Sequence, residues 1–224
     1  MRFISPTAMI YRMITTLIIS LVILIFSAII HEVMHGYVAE KLGDPTARVM
    51  GRLTLNPLPH IDPFLSIILP VMMLILSGGT FAFGGAKPVP VNPMYFKDGK
   101  KDMAVVALAG PLTNLILAVI AAGIFKLNLP ISGIDIVLIY IVLLNLLLTF
   151  INLIPIPPLD GSRVISAILP DDLNSFYMSI EPYGIYILAI LIFFPLFGFN
   201  LWGYILQLIL HVSAFLGVPA SLLL

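Results

Sequence analysis

The sequence contains no cysteine. That excludes disulfides, thiolate metal ligands and a cysteine nucleophile, and it removes redox chemistry as a guide to compartment. Charge is nearly as scarce. Only 10% of the 224 residues are Asp, Glu, Lys or Arg, against about 25% in a soluble globular domain. Eleven cations balance eleven acids, so there is no basic field of the kind that binds nucleic acid, and no nucleic-acid partner is expected. What is present is apolar: 60% of the residues are hydrophobic, with a mean hydropathy of +1.13. Apolar surface on this scale has to face something other than water, and the lipid bilayer is the partner it implies.

Uncharged stretches approach or exceed the roughly 20 residues that cross a bilayer as a helix. The first runs from about residue 13 to 42. Its apolar part resembles a secretion signal, but it passes straight into His31-Glu32-Val33-Met34-His35 with no small-residue cleavage site, so the span is expected to be retained. Spans follow at 102–126 and 134–154, the latter stopped by Pro155, Pro157 and Pro158. Residues 64–76 are apolar but too short to cross comfortably, which fits a re-entrant or tilted segment. Residues 77–93 are rich in Gly and Pro. A short helix is expected at 162–169, then a closing helical hairpin at 181–194 and 201–216, broken at 195–200. The fold class predicted is an all-α integral membrane protein with about five to six transmembrane helices and a short re-entrant β or loop element. It forms a single domain over 1–224, with a catalytic core at about 13–161 and a C-terminal hairpin at about 174–220.

Charge also predicts a topology. If 64–86 dips in and returns, Lys41, Arg48, Arg52, Lys87, Lys97, Lys100, Lys101 and Arg163 share one side, and Arg2, Arg12 and Lys126 fall on the other. The richer side is expected to be cytoplasmic.

The main chemical signal is His31-Glu32-x-x-His35. On a helix, positions i and i+4 share a face, so both imidazoles can hold one Zn²⁺. Glu32 beside them can take the proton of an attacking water. Two histidines that merely pack would leave three ionisable groups in five membrane residues without a partner, at considerable cost. A third ligand must be an oxygen or nitrogen donor, and the candidates are His60, Asp62, Asp160 and His211. Asp160 leads, because two spans after the His pair the chain is back on the same side. Its competing role is an Asp-Gly turn that caps the next helix. Asn114 could donate to a developing oxyanion, and Asn152 could do likewise or orient a ligand. Hydrogen bonding between packed helices is the alternative for both.

Four blocks, His31–His35, 84–90, 109–114 and 152–161, together resemble the site-2 protease family of intramembrane zinc proteases. Leu42-Gly43-Asp44-Pro45-Thr46 and Gly51-Arg52-Leu53-Thr54-Leu55-Asn56-Pro57 look like its compact prokaryotic branch, without inserted PDZ or C-terminal CBS domains. The resemblance implies one zinc per chain held by His31, His35 and Asp160, with Glu32 as general base and Asn114 as a polar site residue. It implies a prokaryotic cell membrane, and the charge asymmetry sets the expected active site toward the cytoplasm. The expected reaction is hydrolysis of peptide bonds in or near transmembrane segments of single-span or membrane-tethered proteins. Gly85, Lys87, Val89 and Asn152 are the substrate-binding candidates, the first three on an edge strand that pairs with extended substrate. The alternative is a membrane metal transporter using the same His/Asp site, which would favour internal repeats; none is visible.

Overall fold

Long apolar runs favour helix in lipid, because only a helix satisfies every backbone polar group within its own segment. The computed structural model, which describes residues 6–68, 71, 72, 75, 85–194 and 200–219, is built on such helices. They are α1 (Pro6–Lys41), the single turn α2 (Thr46–Val49), α3 (Gly99–Phe125), α4 (Ile134–Asn152), α5 (Asp160–Ile168), α6 (Asp171–Ser179), α7 (Gly184–Phe193) and α8 (Leu201–Phe215). No strand occurs among the described residues.

Four described stretches are long and apolar enough to cross a membrane: Ile14–Lys41, Gly99–Phe125, Ile134–Asn152 and Asp171–Phe193. Leu201–Phe215 is also apolar, but its 15 residues reach only roughly 22 Å of the roughly 30 Å hydrocarbon core. The fold is thus the expected all-α membrane protein, with four such spans and one shorter apolar helix among the described residues. Most of 64–86, including Gly84, and the break at 195–199 lie outside the described residues. The sequence reading also missed α6. Its polar composition hides it from hydropathy, but Asp171 and Asp172 in its first turn complement the helix dipole. Pro182 then confines the chain to a tight turn at Glu181–Tyr183 before α7.

α3 is the central element and packs against α4, α1 and α5. Its buried face is made of small residues, among them Ala104, Ala107, Gly110, Ala118, Ala121 and Ala122. In lipid there is no hydrophobic drive between helices, so close backbone approach and van der Waals contact hold them together. Leu138, Ile139, Val142 and Leu146 of α4 fill the space opposite, with Ile205 and Ile209 of α8 behind them. The outward faces are the large apolar ones. Leu17, Ile18, Leu21, Val22, Ile25 and Phe26 recur at helical spacing along α1 and are all exposed, as a lipid-facing stripe requires.

The chain between α2 and α3 returns to where it left. Lys87 N–H donates to the His60 carbonyl at 2.8 Å, and Ser66 Oγ donates to the Gly85 carbonyl at 2.7 Å. The ends of the 61–86 excursion therefore meet at one level. α3 and α4 then carry the chain out and back, and α5 begins beside the His pair of α1.

Candidate metal centre

His31 and His35 lie one turn apart on α1 and are both buried, at 5% and 8% exposure. Asp160 is the first residue of α5. Its side chain turns into the protein, so the role of helix-capping turn residue is not the one it takes. His31 Nε2 lies 3.0 Å from His35 Nε2. Asp160 Oδ2 lies 3.1 Å from the first nitrogen and 3.4 Å from the second.

The outer nitrogens explain why the inner ones face each other. His35 Nδ1 donates to the Val106 carbonyl at 2.7 Å, and His31 Nδ1 donates to Asn114 Oδ1 at 2.5 Å. Both acceptors are oxygens, so each neutral imidazole carries its proton on Nδ1 and presents a lone pair at Nε2. Two lone pairs and a carboxylate then converge, an arrangement that calls for a cation. Tetrahedral zinc at roughly 2.0–2.1 Å from N and O donors sets those donors about 3.3 Å apart. The three observed separations bracket that spacing, and the donor set fits zinc.

Local sequence makes room for the group. A Cβ at Gly110 would stand 2.5 Å from both His31 Nε2 and His35 Nε2, so only glycine lets α3 pass so close to the imidazoles. Pro111 follows it and removes a backbone donor from the helix; its own carbonyl lies 3.2 Å from Thr149 Oγ1 of α4. Gly161 plays the same part beside Asp160, since a Cβ there would meet the Leu153 carbonyl at 2.3 Å. The Asp-Gly pair is thus a ligand followed by the residue that lets its helix approach the end of α4.

Glu32 and the ligands line one cleft of about 320 Å³, together with Pro88, Val89, Met103, Asn152 and Arg163. Glu32 Oε2 accepts the Val89 N–H at 2.8 Å. The 85–92 loop that bears Val89 is fastened along its length. Arg52, 6% exposed, donates to the Lys87 and Pro88 carbonyls at 2.8 and 3.3 Å. Asp44, fully buried, accepts the Asn92 N–H at 2.6 Å. Arg163, one turn beyond Asp160, pairs with Glu181 at 2.5 Å. A second hollow of about 290 Å³ lies between α4 and α8, lined by apolar residues such as Phe150 and Leu208, and contains no titrating group but Tyr204.

Among the sequence candidates, His31, His35 and Asp160 come together as the potential metal group found among the described residues. The other proposed ligands stand elsewhere. His60 Nε2 donates to the Thr54 carbonyl, Asp62 accepts the Phe64 N–H of its own turn, and His211 donates to Gln207 on α8. Asn152 lines the cleft, and its amide nitrogen donates to the Leu148 carbonyl at 2.9 Å. Asn114 does not reach the cleft. Its oxygen serves His31, and its nitrogen donates to Asn145 Oδ1 at 2.8 Å and lies 3.4 Å from the Ser27 carbonyl, which leaves no donor for an oxyanion. Gly85 and Lys87 also lie outside the cleft and anchor the loop instead. The edge-strand reading meets a physical obstacle in this conformation. Pro88 and Pro90 have no N–H, and those of Lys87 and Val89 already have partners.

Sequence reasoning passed over Asn145, Ser27, Asp44 and Arg52. Asn145 had a signal, a lone amide in the middle of an apolar span. Asp44 and Arg52 lay in blocks noted only for their resemblance to the family's compact branch, and nothing in their spacing pointed to the 85–92 loop.

Comparison with known proteins agrees with this chemistry. The model of peptidase family M50 matches residues 19–130 and 123–195. YwhC of Bacillus subtilis, a candidate zinc metalloprotease, is 41% identical over 188 residues, covering 80% of this chain and 82% of its own length. Rip2 of Mycolicibacterium smegmatis, also a candidate zinc metalloprotease, is 30% identical over 204 residues, 88% of this chain and 74% of its own. The zinc metalloprotease MJ0392 of Methanocaldococcus jannaschii is 29% identical over 151 residues, 66% of this chain and 33% of its own. No solved structure matches. A zinc-type donor set between membrane helices and a family match over most of the length agree: the chain belongs to peptidase family M50, the site-2 proteases, and is a zinc metalloprotease.

Proposed function

We propose that the enzyme hydrolyses peptide bonds in or near the transmembrane segments of single-span or membrane-tethered proteins, with Glu32 as general base. One observation carries the reading: Glu32 shares a cleft with the His31, His35 and Asp160 donors, between helices whose outer faces are apolar. His31, His35 and Asp160 would hold the zinc, whose Lewis acidity polarises a carbonyl and makes water easier to deprotonate. Glu32 takes the proton of the attacking water at its carboxylate, and the Val89 N–H holds that carboxylate toward the cleft. Asn152 and Arg163 give the cleft a polar wall, which supports access of water to a site flanked by lipid.

A helical peptide bond is shielded by its own hydrogen bonds, and lipid offers no replacement partners. The 85–92 loop is the segment we assign to receiving unwound substrate, through the Pro88–Val89 surface that lines the cleft. The excess of Lys and Arg on the loops at the His-pair end of α1 supports a cytoplasmic active site in a prokaryotic membrane.

The test is direct. Purified protein with quantified zinc is incubated with a labelled single-span substrate, with and without chelator. Cleavage that needs zinc and an intact Glu32 is expected. Zinc-loaded wild-type protein that cuts a soluble peptide but never a membrane span would overturn the intramembrane reading. Zinc carried across a vesicle membrane without proteolysis would favour transport.

A further inference from the structure

The geometry points to Asn145 as a positioning residue for the metal centre: through Asn114, it fixes which nitrogen of His31 carries the proton. The inference rests on the zinc reading, and the relay begins at the far end of a buried chain of hydrogen bonds.

The Ile141 carbonyl can only accept. Asn145 Nδ2 donates to it at 2.8 Å and to Ser27 Oγ at 3.0 Å. Both hydrogens of that amide are then committed, so Asn145 Oδ1 faces Asn114 and accepts from its Nδ2 at 2.8 Å. The Ser27 carbonyl, 3.4 Å from the same Asn114 nitrogen, favours the same orientation. Asn114 Oδ1 is left facing His31 Nδ1 at 2.5 Å. An oxygen acceptor there admits only the Nδ1–H form, which leaves the Nε2 lone pair for the metal. Turning either amide over would set donor against donor or acceptor against acceptor. Asn114 and Asn145 are fully buried and Ser27 is 5% exposed, so bulk water is not at hand to relieve the mismatch.

The two histidines reach the same state by different means. His35 is held by the backbone carbonyl of Val106, which needs no relay. His31 depends on two side-chain amides on α3 and α4 and a serine on its own helix, so its tautomer can be altered from a residue that touches neither metal ligand nor cleft.

The experiment is ¹⁵N NMR of histidine-labelled, zinc-free, full-length protein in lipid nanodiscs, with zinc affinity measured by chelator competition. Wild-type His31 should be entirely Nδ1–H. Asn145→Leu frees the Asn114 amide to turn, so a substantial Nε2–H population and roughly 10-fold weaker zinc binding are expected. Asn145→Ala carries the same expectation should leucine overpack. Asn145→Asp, as the neutral acid, keeps an acceptor toward Asn114 and a donor toward Ile141 and should restore the wild-type tautomer. Leu146→Ala, at an equally buried neighbour, should lower thermal stability and leave the tautomer alone. Folded Asn145→Leu or Asn145→Ala protein with His31 still wholly Nδ1–H and zinc affinity unchanged would overturn the relay. Wild-type protein that takes up no zinc would overturn the metal reading, and the zinc-free tautomer would still decide the relay.

Discussion

The Val89 N–H and the Glu32 carboxylate meet at 2.8 Å. One belongs to a Gly/Pro-rich loop and the other to the signature helix, and 57 residues separate them. The contact aims the carboxylate and positions the loop together. Arg52 and Asp44 fasten the same loop on either side of Val89, so Glu32 is attached to an anchored segment.

Removing that one donor should therefore affect chemistry more than metal. Val89→Pro deletes the N–H, whereas Val89→Ala keeps it and trims the side chain. A hydrogen bond to a charged group contributes about 1.5–3 kcal/mol, so the proline variant should cleave roughly 10- to 100-fold more slowly than the alanine variant. Zinc content should be equal in both, as measured by metal analysis beside a cleavage assay. Equal rates would separate Val89 from Glu32 function.

Glu32→Gln should keep zinc and lose cleavage by about 10²–10⁴-fold, the usual contribution of a positioned general base. The glutamine oxygen can still accept from Val89, so the loop stays in place and the loss reports proton transfer. Retained activity would remove Glu32 from that role.

Asp160→Ala should lower zinc affinity by more than the roughly 10- to 100-fold that follows loss of an outer-shell partner. Zinc titration of purified protein measures it. Unchanged affinity would mean that the two imidazoles recruit their third donor elsewhere.

Gly110→Ala and Gly123→Ala form a matched pair on α3. Alanine in place of a mid-helix glycine is worth about 1 kcal/mol of helix propensity. At Gly123 nothing lies within 4 Å of the added Cβ, so the variant should melt higher and bind zinc normally. At Gly110 the Cβ would overlap both ligating nitrogens, so zinc should be lost. A Gly110→Ala protein with normal zinc content would show that the imidazoles can move aside.

The parts of this site legible in the sequence were those governed by local spacing. His31, Glu32 and His35 share one helical face by periodicity alone. Asp160 was reached by counting spans, which works because lipid allows few ways for a chain to return. The roles of Asn114, Gly85 and Lys87 were not legible, since a side chain's partner depends on what the fold brings opposite it. Asn114 and Asn145 lie on different helices, and nothing in their spacing says that one amide faces the other. α6 escaped because its polar residues conceal it from hydropathy, although its first-turn acids were visible.

The contact between His60 and Lys87 makes the intervening chain a closed detour. Lengthening such a detour costs only about 0.6 kcal/mol per doubling, and it leaves untouched the height at which the two halves of the enzyme rejoin. Changes in the length of the chain between those two residues should thus leave the catalytic register on either side unchanged.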